Sequence, residues 1–138
     1  MRKFLLALVS LCLLTVATAQ QAKINKKDVQ KAMDEVSALY QLNTDQIKNI
    51  YEIQELRLIN LAEVEKVKTT DYPLYLRKCR AVRIATETAT KKLLTEAQLN
   101  IYYVQVAERR KRELVKMKEL KRQGAEQEQI ELGLLEIE

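Results

Sequence analysis

The sequence predicts an all-α fold of about four helices, arranged as a long antiparallel helical hairpin and completed by dimerisation. Three observations carry this reading. The 138 residues hold only two glycines and one proline, and sheets need turns that lean on Gly, Pro, Asn and Asp. The rest of the chain is rich in Leu, Glu, Lys, Gln and Ala, residues with high helix propensity. Apolar residues also recur at three- and four-residue steps, the period of one helix face.

The first twenty residues are organised differently. Arg2 and Lys3 precede an apolar run from Phe4 to Leu14, and Ala17-Thr18-Ala19 supplies a small-x-small site. This is the pattern of a cleavable signal peptide, residues 1–19, with cleavage before Gln20. The apolar run falls short of the roughly 20 residues that a membrane-spanning helix needs. The remainder, 119 residues, suffices for one domain. An exported, periplasmic location follows as the expectation.

The helices are taken in order. Val29, Met33, Val36 and Leu39 mark a first helix over about 27–40. A second runs over about 44–67, and its apolar residues (among them Ile47, Ile50, Ile53, Leu56, Ile59 and Val64) spread around much of its circumference. One neighbouring helix does not cover such a surface, so a homodimer is expected. Thr69-Thr70-Asp71 breaks that helix, and Pro73 falls in the first turn of a third, where a missing N–H costs nothing. The third is expected to continue to about Leu93, and a fourth to run from after Thr95 to about Gln123, with Gly124 as its stop.

Residues 20–124 form the helical domain, and residues 125–138 an acidic, apolar tail. Of 24 basic and 19 acidic residues, 22 and 14 lie in 20–124, so that body carries +8 and the tail −5. A like-charged tail is ordinarily solvated. Ile130, Leu132, Leu134, Leu135 and Ile137 offer this one an alternative, folding back on the basic body or filling an apolar groove. Only Cys79 follows the leader, so no internal disulfide forms; the thiol is either buried or paired with another chain, and its helical neighbours Tyr75, Val82 and Ala85/Thr86 favour burial.

Two helix starts share one pattern. Leu94-Thr95-Glu96-Ala97-Gln98 reads as a capping box in which Thr95 takes a free backbone N–H and Gln98 reaches back to the N-cap N–H. Leu42-Asn43-Thr44-Asp45-Gln46 repeats it with Asn43 as cap. Leu94 and Leu42, each preceding its cap, are placed to staple against Leu99 and Ile47.

This duplicated L-T-x-x-Q pattern, in a basic helical chain of this size with an export leader, resembles the Spy/CpxP family of periplasmic stress proteins and chaperones. The second copy matches fully, and the first departs by Asn43 for Thr. The resemblance spans roughly residues 40–120. It implies an ATP-independent chaperone that binds unfolded or misfolded envelope polypeptides as part of a stress response. A regulatory module docking on an envelope stress sensor, or a structural envelope protein, is the alternative.

Enzyme chemistry is not expected. With no histidine, Ser/His and Cys/His nucleophile pairs are excluded, and no Gly-rich phosphate loop is present. No cofactor is expected and no metal either, since some relatives bind metals through His, Cys and Met, a ligand set this chain lacks. The densest basic features are Arg109, Arg110, Lys111 and Arg112, followed by Lys116, Lys118, Lys121 and Arg122, and on the third helix Arg77, Arg80 and Arg83. Their bland reading is a solvated face. Their functional reading is a surface that attracts acidic clients, a partner's acidic patch or an anionic membrane surface. Nucleic acid is open on charge alone, but an exported protein seldom meets it, so none is expected. The six tyrosines suit half-exposed faces or helix interfaces.

Overall fold

A computed structural model of the chain describes residues 24–137. The leader expected over residues 1–19 lies outside them. The described residues form five helices and no strand: α1 (Lys26–Tyr40), α2 (Thr44–Glu65), α3 (Tyr72–Lys91), α4 (Glu96–Arg122) and α5 (Gln127–Leu135). Four correspond to the expected helices, with ends shifted by one or two residues. The fifth corrects the count and occupies the tail.

Each start has a chemical cause. The Asn25 side chain accepts from Lys27 N–H, and Asp71 accepts from Leu74 N–H at 2.9 Å, with Pro73 inside the first turn of α3. Both predicted capping boxes form, at Asn43/Gln46 and at Thr95/Gln98. The α4 stop forms as Gly124 and its flanking residues allow. Gly124 has φ +75, Ala125 N–H donates to Leu120 C=O and Gly124 N–H to Lys121 C=O. Those two bonds are the Schellman closure.

At the end of α1 the same device is built without glycine. Gln41 adopts φ 52, ψ 55, and Leu42 N–H donates to Ser37 C=O. A side chain in this left-handed region is strained by clash between Cβ and the neighbouring carbonyl. Gln41→Gly is therefore expected to stabilise the protein by roughly 0.5–1 kcal/mol, read as a rise in the urea midpoint without a change in slope. A fall in the midpoint would mean that the Gln41 side chain makes a compensating interaction.

The core is small. Val29, Met33 and Tyr40 of α1 are buried with Ile50 and Val64 of α2, Leu76 of α3, Leu94 and Ile130. Four polar residues, Gln46, Gln54, Thr90 and Gln98, are buried beside them. Burial on α2 is confined to Gln46, Ile50, Gln54 and Val64, whereas Leu56 is 57% exposed and Ile47 41%. The broad apolar girth of α2 is thus only partly covered by α1 and α3, its main neighbours. Cys79 is half-buried rather than enclosed.

The tail resolves the choice between a solvated end and a folded-back one. Helix α5 turns back at Gly124 and packs on α4 and, at its far end, on α3. Ile130 is buried there, and Gly133 rides so close to α4 that a Cβ would meet Leu120 Cδ1 at 2.7 Å. Tyr72 Oη donates to Glu136 at 3.2 Å, and Arg83 donates to the Ile137 carbonyl. Apolar burial plus attraction to a basic body outweighs the mutual repulsion of exposed glutamates, whose charges remain in water.

Candidate functional site

The two capping boxes sit 52 residues apart in sequence and meet in space. Gln46 Nε2 donates to Gln98 Oε1 at 2.7 Å, and Gln98 Nε2 donates back to Gln46 Oε1 at 3.1 Å. The second proton of each amide goes to a turn carbonyl, Gln46 to Leu93 at 2.7 Å and Gln98 to Tyr40 at 2.9 Å. Each Oε1 also accepts the N-cap N–H of its own box, from Asn43 at 3.0 Å and from Thr95 at 2.9 Å. A glutamine amide offers two donors and two acceptor sites, and both amides are fully used. The pair latches the α1–α2 turn to the α3–α4 turn. This role is structural. Leu94 is buried beside it and Leu42 half-buried.

The predicted basic residues divide into two environments. Arg77 and Arg80 on α3, and Arg110, Lys111 and Arg112 on α4, are exposed. Arg83 and Arg109 turn inward. Arg109 grips Glu87 of α3 with both nitrogens, Nη1 to Oε1 at 2.6 Å and Nη2 to Oε2 at 3.0 Å, with side chains only 18% and 25% exposed. Donating these hydrogen bonds to the Glu87 carboxylate holds the Arg109 guanidinium more firmly protonated than usual. Burial, and then the charge of Arg109, push Arg83 the other way. Its Nε is buried and finds no hydrogen-bond partner among the described residues. Burial, followed by the nearby Glu87 charge, raises the Tyr40 phenol.

Helix α4 carries the most exposed apolar surface. Tyr103, Val104, Leu114 and Val115 are all about half exposed or more, up to 62% at Val115. At 100° per residue, these four share one sector of about 120° with Ala107, Lys111 and Lys118. Arg110 lies at its edge. The helix is 27 residues, about 40 Å long, so the sector is a narrow stripe of apolar and basic residues. At its start, Lys91 Nζ lies 5.0 Å from the Tyr103 ring centre. On α3, Ile84 is 52% exposed on the side that also carries Arg77 and Arg80.

Two clefts flank Arg83. One, about 530 Å³, lies between α2, α3 and the end of α5, and is lined by Arg57, Arg80, Arg83, Tyr75 and Glu136 among others. The other, about 260 Å³, lies over the α1 face of the core, between Val36, Leu39, Tyr102, Arg83 and Glu87. Among the described residues no cluster of three His, Cys, Asp or Glu is placed to hold a metal ion. No helix among them is long and apolar enough to cross a membrane.

Neither a protein-family model, nor a curated protein, nor a solved structure matches this chain.

The sequence pointed to the two capping boxes and to the basic residues. The exposed α4 stripe was missed as a unit, although Tyr103, Val104, Leu114 and Val115 fall at helical spacing. Buried and exposed apolar faces have the same period, so spacing alone does not separate them.

Proposed function

We propose that this protein is an exported, ATP-independent chaperone-like binder of unfolded polypeptide, of the kind its duplicated L-T-x-x-Q pattern resembles. The observation that carries the reading is the exposed α4 stripe, in which Tyr103, Val104, Leu114 and Val115 alternate with Lys111 and Lys118. A half-apolar surface binds exposed hydrophobic segments, and lysines along it raise the encounter rate with acidic chains and keep the surface soluble. The latch between Gln46 and Gln98 holds the helices that present this stripe. A long antiparallel helical hairpin paired with a second copy is the assembly we propose for the working form, since Leu56 and Ile47 of α2 remain exposed in one chain.

The test is light scattering of an unrelated aggregating protein with and without residues 20–138. Suppression is expected near equimolar ratio, and it should weaken with salt as charge steering is screened. The double variant Val104→Ser/Val115→Ser alters two well-exposed residues and should leave the fold intact. It is expected to lower suppression severalfold. No suppression across several clients would overturn the general binder in favour of a module with a single partner.

A further inference from the structure

The second surface of interest lies under α5. This helix has nine residues, too short to hold its shape alone in water. It is helical because it is docked. Ile130 is its buried anchor, Gly133 brings its backbone against Leu120 and Lys116, and its end reaches Tyr72 and Arg83 on α3. The helix that fills this place is acidic and apolar, with Glu128, Glu131 and Glu136 turned to solvent and Leu132, Leu134 and Leu135 half covered. The surface beneath it belongs to a body of charge +8. Beyond the α5 end the cleft of about 530 Å³ continues between α2 and α3, lined by Arg57, Arg80, Arg83 and Tyr75.

We propose that the α3–α4 surface beneath α5 is a docking site for short acidic-apolar helical peptides, with α5 as the occupant that the chain itself supplies. The α4 stripe is separate from this site, and the proposal stands whether or not that stripe captures unfolded clients. The recognition chemistry is legible in the seated helix. An Ile-sized side chain fills the place of Ile130, a residue with no side chain permits close approach at Gly133, and one carboxylate, Glu136, accepts from Tyr72 Oη at the rim of the cleft that also carries Arg80 and Arg83. The α4–α5 turn is short, so α5 enjoys a high effective concentration, and an added peptide competes poorly while α5 is seated. Loosening α5 should open the site.

The experiment uses a fluorescent peptide of residues 125–138 and follows its anisotropy with the full chain. Two variants loosen α5, Ile130→Asp and Gly133→Val, and circular dichroism checks that α1 to α4 stay folded in each. Both are expected to bind the peptide at least tenfold more tightly than the unmodified chain does. Binding should weaken with salt, and the added exposed-site change Arg80→Glu should reduce it severalfold. A peptide carrying Ile130→Asp itself should not bind. The proposal fails if neither folded variant binds the peptide, or if the peptide with Ile130→Asp binds as well as the original. Two variants are used because one of them alone could misfold.

Discussion

Replacing Gln98 by glutamate is expected to destabilise the protein by roughly 3 kcal/mol, although it is the mildest change that local helix chemistry knows. A capping box accepts Glu or Gln at its third helical position without preference. The tertiary contact does not. Gln98 Nε2 donates to the Tyr40 carbonyl and to Gln46 Oε1, and a carboxylate in its place presents an acceptor to both. The site is buried, so water does not relieve the conflict. The pH dependence has a definite sign. Burial beside acceptors holds the new carboxyl protonated in the folded state, so its folded pKa rises above the unfolded value near 4.3. The variant should therefore recover stability relative to the parent below about pH 4 and lose it as pH rises. Urea titrations at several pH values measure this, with Gln98→Ala as the comparison that removes the side chain without adding charge. A loss below about 0.5 kcal/mol for the glutamate variant would mean that the two amides do not meet in solution.

Glu87→Ala should give the second large effect, roughly 2–3 kcal/mol. Glu87 is held by both nitrogens of Arg109, and the Arg83 guanidinium feels both charges. Removing the carboxylate leaves two partly buried arginines close to each other, with Glu113 as a remaining nearby negative charge. Among the described residues the Arg83 Nε already lacks a hydrogen-bond partner. Added salt should restore part of the loss by screening the repulsion. The double variant Glu87→Ala/Arg109→Met should be more stable than Glu87→Ala alone, because it removes the uncompensated charge as well. A double-mutant cycle in urea decides the matter. If the double variant is less stable than the single one, the packing of the Arg109 stem matters more than its charge.

The consequence for function is that Arg109 and Arg110, adjacent in sequence, belong to different tasks. Arg109 pins α4 to α3, whereas Arg110 stands in solvent at the edge of the α4 stripe. Alanine scanning across residues 109–112 would mix a loss of fold with a loss of surface charge. Lys111 and Lys118, exposed on the stripe itself, are the cleaner probes of the proposed client capture.

Helix content and helix starts were legible because they depend on neighbours in sequence. Asn43 with Gln46 and Thr95 with Gln98 satisfy free N–H groups within one turn, and Gly124 ends α4 by its own backbone freedom. Gln41 illustrates the opposite case. Nothing in its chemistry favours a left-handed conformation, and the burial of Tyr40 with the hydrogen bonds of the latch keep the chain in that turn. The tail illustrates another. Five glutamates suggested solvent, and the balance was tipped by the burial of Ile130 and the close approach of Gly133 to Leu120 of α4.

By itself, then, the sequence determined an all-helical chain, the places where its first four helices begin, and a basic body joined to an acidic, apolar end. Those properties are set by bonds and charges within a few residues of one another. Only the tertiary structure decided that the two distant glutamines share one amide pair, that Arg109 turns inward while Arg110 does not, and that α5 forms at all. Each of these depends on a partner tens of residues away in the chain, and such a partner enters the energy only after the helices have packed.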